Sequence, residues 1–524
     1  MARVEIQEIA FRVSEVSDPS HPASDLVYVL RNGTCDVVTP GGTVPGNRLP
    51  VYQAETGTPT YTQPLALSAG RIEGWVETTD IPTGFDLIVN PANGSSYRQP
   101  VRPIRGPQGL TGETGSFPMI NVKASPYNAT GDGTTNDRAA IQAALDAANT
   151  AGGGTVFFPK GTYILGSALT LRSNVHLTCA GGTVLKLQNG VQSYMALGTN
   201  VSNVTIEGLI FDLNKANTTD GGADTSQMAV YLLASSAAGI TKCAIRNCII
   251  KDGHQLGLRL NATDSTFPLE VAVEGCEITG CKIGARVIRG TQIRFVRNRV
   301  YANTSEGVNF LGGKNDYVAG NRCYGNGGQG LNFSIQATDK SVGAVVVGNL
   351  CYENGADSAG NFGWGINFSV ECQRFSCVGN VCRNNYQGGI VVDVFPSGIS
   401  NTLYPTHGVV TGNTCSGYLG INASNGISVN GVNGLAVSGN TCEGNRNNGI
   451  FVNGRGVAVV GNTMRNNGTW GLLLNQGAAA ATPAQGQHRI GPNVFEGNTS
   501  GAISELAALA GLNSYASLTT TVTA

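Results

Sequence analysis

The sequence predicts a mainly β chain: a parallel β-helix preceded by a small all-β domain, with one capping helix near residues 136–150. Three observations carry this. A pair of short markers recurs through residues 155–500. One side chain per repeat stays apolar or thiol. The composition, 73 glycines in 524 residues with only 13% charged, suits tight turns and short strands better than helical or disordered chain.

The first marker is Gly-Asn or an equivalent pair, as in Arg246-Asn247, Gly275-Cys276, Arg297-Asn298, Gly320-Asn321, Gly348-Asn349 and on to Gly461-Asn462. The second is Gly-aliphatic-x-apolar, from "GLRL" at Gly257 through "GVNF" at Gly307 and "GLNF" at Gly330 to "GLLL" at Gly471. Each repeat holds two alternating runs separated by Gly and Asn, which reads as strands between turns. A unit this short cannot bury its own apolar side, so successive units must stack.

Two residues after the first marker stand Ile249, Ile278, Val300, Cys323, Cys351, Cys382, Cys415, Cys442 and Met464. One buried side chain per coil is the expected internal ladder. Cys377 shares a second such column with Phe295, Val318, Val346, Val410, Val437 and Val459. Thiols in these columns behave as small hydrophobes. Disulfides or a metal site at Cys372, Cys377 and Cys382 are the competing readings, and the ladder favours free thiols. In the second marker the x position should point outward. It reads Arg259, Arg286, Asn309, Asn332, Asn367, Val391, Ser428, Phe451, Leu473. Its apolar end is expected to meet another chain or a covering loop.

The head of the repeat supplies the cap. Thr135 or Asn136 can cap a helix whose Ile141, Ala144, Leu145 and Ala148 form one apolar stripe. "GGGTVFFPKGTYIL" then turns into strands, and a helix over the open end protects an edge that would template aggregation. Gly131-Asp132-Gly133-Thr134-Thr135-Asn136-Asp137, then Ile141 to Leu145 and Gly152 to Tyr163, resemble the N-terminal region of the pectate-lyase-like superfamily. The resemblance implies a right-handed parallel β-helix over residues 117–500. It marks the cap and not a catalytic site.

Residues 1–105 alternate between Pro/Gly/Asn turns and strand-like runs such as "FDLIV", and loosely resemble attachment domains of bacteriophage tail fibres. Residues 106–116 carry a Gly-X-Y period at Gly106, Gly109, Gly112 and Gly115. Only Gly fits the axis of a triple helix, so the period makes sense where three chains meet; a Gly/Pro linker is the plainer alternative. An apolar tail spans 501–524. This order of parts resembles a phage tail spike or tail fibre. The resemblance implies a homotrimer joined to tail or baseplate proteins through its first domain, assembled in the host cytoplasm and working in the virion tail. There it would bind host surface glycan.

The totals exclude other classes. Net charge is −1, so a nucleic-acid partner gets no bulk electrostatic support. No run approaches the ~18–20 apolar residues of a membrane span, and no signal peptide is expected at the N-terminus. Thirteen cysteines without a CxxC pair and five scattered histidines point to a reducing compartment, with no metal site or cofactor.

Glycan cleavage needs paired carboxylates, or a base with charge-neutralising help. The candidates are Asp393, in a column otherwise filled by Asn and Ser, with Glu371 and Asp357 nearby. Inserted loops in the same coils bring Trp364, Tyr386, Phe395, Tyr404 and His407 into one band, where aromatic faces suit sugar rings. A basic pair, Arg259 and Arg286 beside Asp252 and His254, forms a second candidate. The sequence leaves open a tail spike that depolymerises the glycan, a purely adhesive fibre, and a cellular lyase or epimerase.

Overall fold

The computed structural model describes residues 119–222, 227–355, 363–393, 405–417, 424–475 and 487–505 in full. It also gives the backbone of Ser514–Tyr515 and of six strands before residue 102. The chain forms two compact units, Met1–Thr114 and Gly115–Ala524. In the first, Arg3–Ile6 pairs antiparallel with Gly74–Glu77. Leu65–Ser68, Asn32–Val38, Phe85–Pro91 and Tyr97–Val101 make a four-stranded antiparallel sheet in that order. Gly106, Gly109, Gly112 and Gly115 lie outside the described residues.

The second unit is a right-handed parallel β-helix with three sheets of 14, 13 and 15 described strands, here sheets I, II and III. One coil illustrates the rest. Tyr317–Ala319 lies in sheet III, Arg322–Tyr324 in sheet I and Leu331–Ser334 in sheet II. Each pairs in parallel with its equivalents in the coils before and after.

Exact register between coils stacks like on like. Cys323, Cys351, Cys382, Cys415 and Cys442 form one buried column in sheet I. The described cysteines are free thiols. Burial pushes the Cys281 thiol up to about 12 and the Cys377 thiol well above its ordinary range, which keeps them inert. Inside sheet II, Phe310, Phe333 and Phe368 stack with ring centroids 4.8 and 4.9 Å apart. The internal ladder differs from the sequence reading in one coil. Ile250, not Ile249, pairs with Ile278 and is fully buried. Asn247 occupies the left-handed turn that Gly275 fills one coil on, so the marker there is offset by one residue.

Two asparagine ladders flank the short strands of sheet I. In the first, Asn298, Asn321, Asn349, Asn380, Asn413, Asn440, Asn462 and Asn493 follow one another coil by coil. The backbone N–H and side-chain Nδ2 of each donate to Oδ1 of the next. The second ladder has Asn303, Asn326, Asn354 and Asn385, then Asn445, Asn467 and Asn498. Buried amides are thereby satisfied at corners where no sheet partner exists. These corners also explain the second marker. A Cβ on Gly307 would stand 2.5 Å from the carbonyl oxygen of Gly330 and 3.0 Å from Asn326 Nδ2, so only glycine fits.

The helix spans Arg138–Thr150 and buries Ile141, Ala144, Leu145 and Ala148 as expected. Its N-cap is Asp137, not Thr135 or Asn136. The Asp137 carboxylate instead accepts from Thr130 N, Thr130 Oγ1 and Gly131 N. Asp132 accepts from Thr134 N, Thr135 N and Thr135 Oγ1, and those backbone donors hold its carboxyl below the usual range. The two aspartates fold the loop that leads into the cap.

Candidate functional site

The outer face of sheet II collects the functional side chains. Its central column runs Tyr231, Arg259, Arg286, Asn309, Asn332, Asn367, Val391, Ser428, Phe451 and Leu473 in continuous register. At ~4.8 Å per coil, Tyr231 to Asn367 spans about 24 Å, a length suited to several sugar rings.

The early end of this column is aromatic and cationic. Met228, Tyr231, Leu256 and Ile283 form a small apolar cluster, with Tyr194, Leu197 and Leu233 packed on it. Tyr194 meets Tyr231 edge-on, ring centroids 5.3 Å apart. The Arg259 guanidinium lies 5.3 Å from the Tyr231 ring centre, within cation–π range. Arg286 follows one coil on. Two guanidinium groups in adjacent coils, the first against the Tyr231 ring, suit a carboxylate-bearing ligand, since Arg binds carboxylates through a planar fork. At the edge of this patch, Lys282 Nζ donates to Gln255 Oε1 at 3.5 Å, and Gln255 Nε2 donates to Asp220. The Gly222 N–H and Gln255 together hold the Asp220 carboxyl below its usual range. His254 is structural: its Nε2 faces the carbonyl oxygens of Lys215 and Thr218 at 3.1 and 3.0 Å. Asp252 is drawn into an ion pair with Lys251 at 2.9 Å.

The middle of the column is an amide strip. Asn332 Nδ2 donates to Asn309 Oδ1 at 3.2 Å, and Asn367 Nδ2 to Asn332 Oδ1 at 3.0 Å. Asn367 Oδ1 ends the run buried without a protein donor.

The carboxylate candidates stand at the far end of the same strands. Ser369 pairs with Asp393, and Asp393 is close enough to help raise the Cys372 thiol, whose main perturbation is burial. Glu371, two residues beyond Ser369, is buried and ion-paired with Lys340 at 2.8 Å. Asp339 beside that lysine pairs in turn with Arg289. Trp364 and Tyr386 lie at the opposite, entry end. Trp364 covers Gly388, whose added Cβ would stand 2.5 Å from the indole, and Tyr386 sits against Gly363. His407 is exposed in a left-handed turn before sheet III. Asp357, Phe395 and Tyr404 lie outside the described residues. Among the described residues, Trp364 and Tyr386 thus stand at one end of a strand pair and Glu371 and Asp393 at the other. Val391, in the column expected to meet another chain or a covering loop, is buried within the chain itself, as are Ser428, Asn309 and Asn367.

Sequence reasoning found Arg259 and Arg286 but missed Tyr194 and Tyr231, which precede the regular second markers. It also missed the stacked Tyr301, Tyr324 and Tyr352 on sheet I, centroids 4.9 and 4.8 Å apart. Among the described residues no His/Cys/Asp/Glu cluster could hold a metal ion.

Comparisons with known proteins agree on this architecture. A family described as rhamnogalacturonase A/epimerase, pectate lyase-like, matches residues 119–332, which include Tyr194, Tyr231, Arg259, Arg286 and Asn332. Mannuronan C5-epimerase AlgE6 of Azotobacter vinelandii is 44% identical over 115 residues, 19% of this chain and 13% of that protein. The solved A-module of the same epimerase covers 76% of this chain and 99% of its own, with 21% identity and a TM-score of 0.53. The pre-mature bacteriophage phi29 gene product 12 covers 73% of this chain and 53% of its own, at 19% identity and a TM-score of 0.52. At these identities the solved structures show the fold. The matched segment spans well under a fifth of the curated epimerase, so that protein's activity is not carried over with it.

Proposed function

We propose that this chain is the receptor-binding spike or fibre of a phage tail, a homotrimer that binds acidic host surface polysaccharide along the outer face of sheet II. The observation that carries the reading is the single register column joining the Tyr194–Tyr231 floor, the Arg259–Arg286 pair and the Asn309–Asn332–Asn367 strip. Aromatic faces take the rings, guanidinium groups the carboxylates, and amides the hydroxyls. The order of parts in the sequence supports the spike: a small β domain, a Gly-X-Y connector, then coils.

Glycan binding is tested by titrating the full chain with an acidic polysaccharide such as a polyuronate and with a neutral one. Arg259→Ala with Arg286→Ala is expected to weaken acidic binding at least tenfold and leave the fold intact. Equal affinity for both glycans in the unaltered chain would sink the site.

A second reading, in which the bound glycan is also cleaved or epimerised, is favoured by the pectate-lyase-like match over residues 119–332, which hold the tyrosines and arginines of the track but not Glu371 or Asp393. Glu371 is held by Lys340, and Asp393 stands in register with Ser369 on the neighbouring sheet II strand. Reducing ends, unsaturated uronates and C5 inversion by NMR would be followed together. Binding without any product would leave the adhesive fibre as the function. Product formation undiminished in Asp393→Asn would remove that residue from the chemistry.

A further inference from the structure

We infer that the outer face of sheet III is where copies of this chain pack against one another, an inference that rests on the trimeric reading above. From Tyr317 to Val460 the outward residues of these strands carry no charge, while an exposed cation, Arg374, stands beside them two residues before Ser376. Its outward residues are Tyr317, Ala319, Val345, Val347, Ser376, Val378, Val409, Thr411, Ala436, Ser438, Ala458 and Val460 in six successive strands. Tyr317, Val345 and Val409 are exposed. Arg294 bounds the strip at one end and Arg489 at the other. The outer face of sheet I over the same coils is different, with Arg322, Arg383, Glu443 and Arg465. Six successive strands without an outward charge are not needed for folding, because these side chains point away from the core.

An independent feature runs along the same coils. The turn after each of these strands is glycine: Gly320, Gly348, Gly379, Gly412, Gly439 and Gly461, all in the left-handed region. That backbone conformation does not demand glycine here, since Asn247 and Arg297 hold it in the same column. Space does not demand it either. A Cβ on Gly348 or Gly379 would meet nothing within 4 Å. A bare ridge beside a flat, uncharged sheet is what close approach of a second backbone requires.

The occupant is another copy of this chain. The strip is about 24 Å long and roughly 10 Å wide, short of the ~800 Å² per partner of a self-sufficient interface. It therefore works jointly with the Gly-X-Y connector, whose three triplets are too short to hold three chains by themselves but raise their effective concentration, so that the trimer needs both contacts.

The test uses the full chain. Val345→Lys with Val409→Lys is compared with Val381→Lys with Val494→Lys on sheet I, by light scattering. The inference expects a trimer in the unaltered and sheet I proteins and loss of the trimer in the sheet III protein. A monomeric unaltered chain overturns the trimeric reading itself. A sheet III variant that stays trimeric overturns only the assignment of the face. Thiol labelling gives a check that does not perturb packing. Ser376→Cys and Ala436→Cys should react at least tenfold more slowly than Thr414→Cys on sheet I, against the background of the unaltered chain. Equal rates contradict the inference.

Discussion

The coils before residue 290 and those after it hold the same cross-section with different corner chemistry. In the later coils the described corners of sheet I are asparagines. In the earlier coils the equivalent positions are Cys248 and Cys276 on one side and Cys281 on the other. Asn298 Oδ1 and Asn303 Oδ1 accept from Cys276 N and Cys281 N. Cys276 Sγ lies 3.5 Å from Ile245 O and Cys248 Sγ 3.6 Å from Ile206 O, the same link that Asn298 Nδ2 makes to Val273 O at 2.9 Å. A thiol is a weak donor and cannot accept from the previous coil as an amide does. The earlier coils compensate in sheet III with longer strands, Ile240–Arg246 and Leu269–Glu274, whereas later strands of sheet III are only three residues long; sheet I strands are three residues long in both regions. Register can be fixed by strand length or by an amide ladder. The comparison teaches that this chain uses each where the other is missing.

The largest effect should come from cutting the ladder. Asn380→Ala removes the acceptor for Asn349 N and Nδ2 and the donors to Asn413 and Val346 O. At ~1 kcal/mol per bond, plus the cost of stranded buried groups, the loss should be about 3–4 kcal/mol. Thermal midpoint and unfolding rate would register it. An unchanged midpoint would mean that the ladder does not set register.

Two buried titratable groups at the entry to sheet III in the later coils give pH predictions. Asp316 accepts from Ile293 N at 3.1 Å, and burial pushes its carboxyl up to about 7. Between about pH 4 and 7 the unfolded chain has released this proton and the folded chain has not, so stability falls as pH rises and then levels off. Asp316→Asn keeps an acceptor and should gain about 2–3 kcal/mol at pH 8, with little change at pH 4. His488 accepts from Val457 N at 3.2 Å, and burial pushes its imidazole down to about 4, against a smaller opposing pull from Glu505. Here stability falls as pH drops from about 6.5 towards 4, and His488→Gln should remove roughly 2 kcal/mol of that loss. Denaturant midpoints across pH 4–8 check both. Identical pH slopes in variant and unaltered protein would dismiss the assignments.

The smallest effect belongs to the early corner. Cys276→Ala should cost only about 1 kcal/mol, the worth of a small buried hydrophobe and a weak donor. A loss as large as that of Asn380→Ala would erase the distinction between the two regions.

The repeat made the β-helix legible, because glycine in the second marker answers a steric demand and inward residues must be apolar in every coil. The one-residue slip at Ile249 arose because Asn247 satisfies a left-handed turn and so mimics the marker asparagine. The second ladder was hidden for a related reason: asparagine after a short strand reads as an ordinary turn residue. The candidate site was half legible. Its Arg and Asn column follows from the repeat, but Tyr194 and Tyr231 lie in coils whose markers are degenerate. That Glu371 pairs with Lys340, 31 residues away in sequence, depends on loops whose paths no periodicity encodes.

The most direct test of the central claim is calorimetric titration of the full chain with an acidic and a neutral polysaccharide of matched length. The unaltered protein should bind the acidic glycan at least tenfold more tightly. That preference should vanish in Arg259→Ala/Arg286→Ala and survive Arg322→Ala on sheet I. A preference that persists without the sheet II arginines, or disappears with the sheet I arginine, would contradict the assignment of this face as the glycan track.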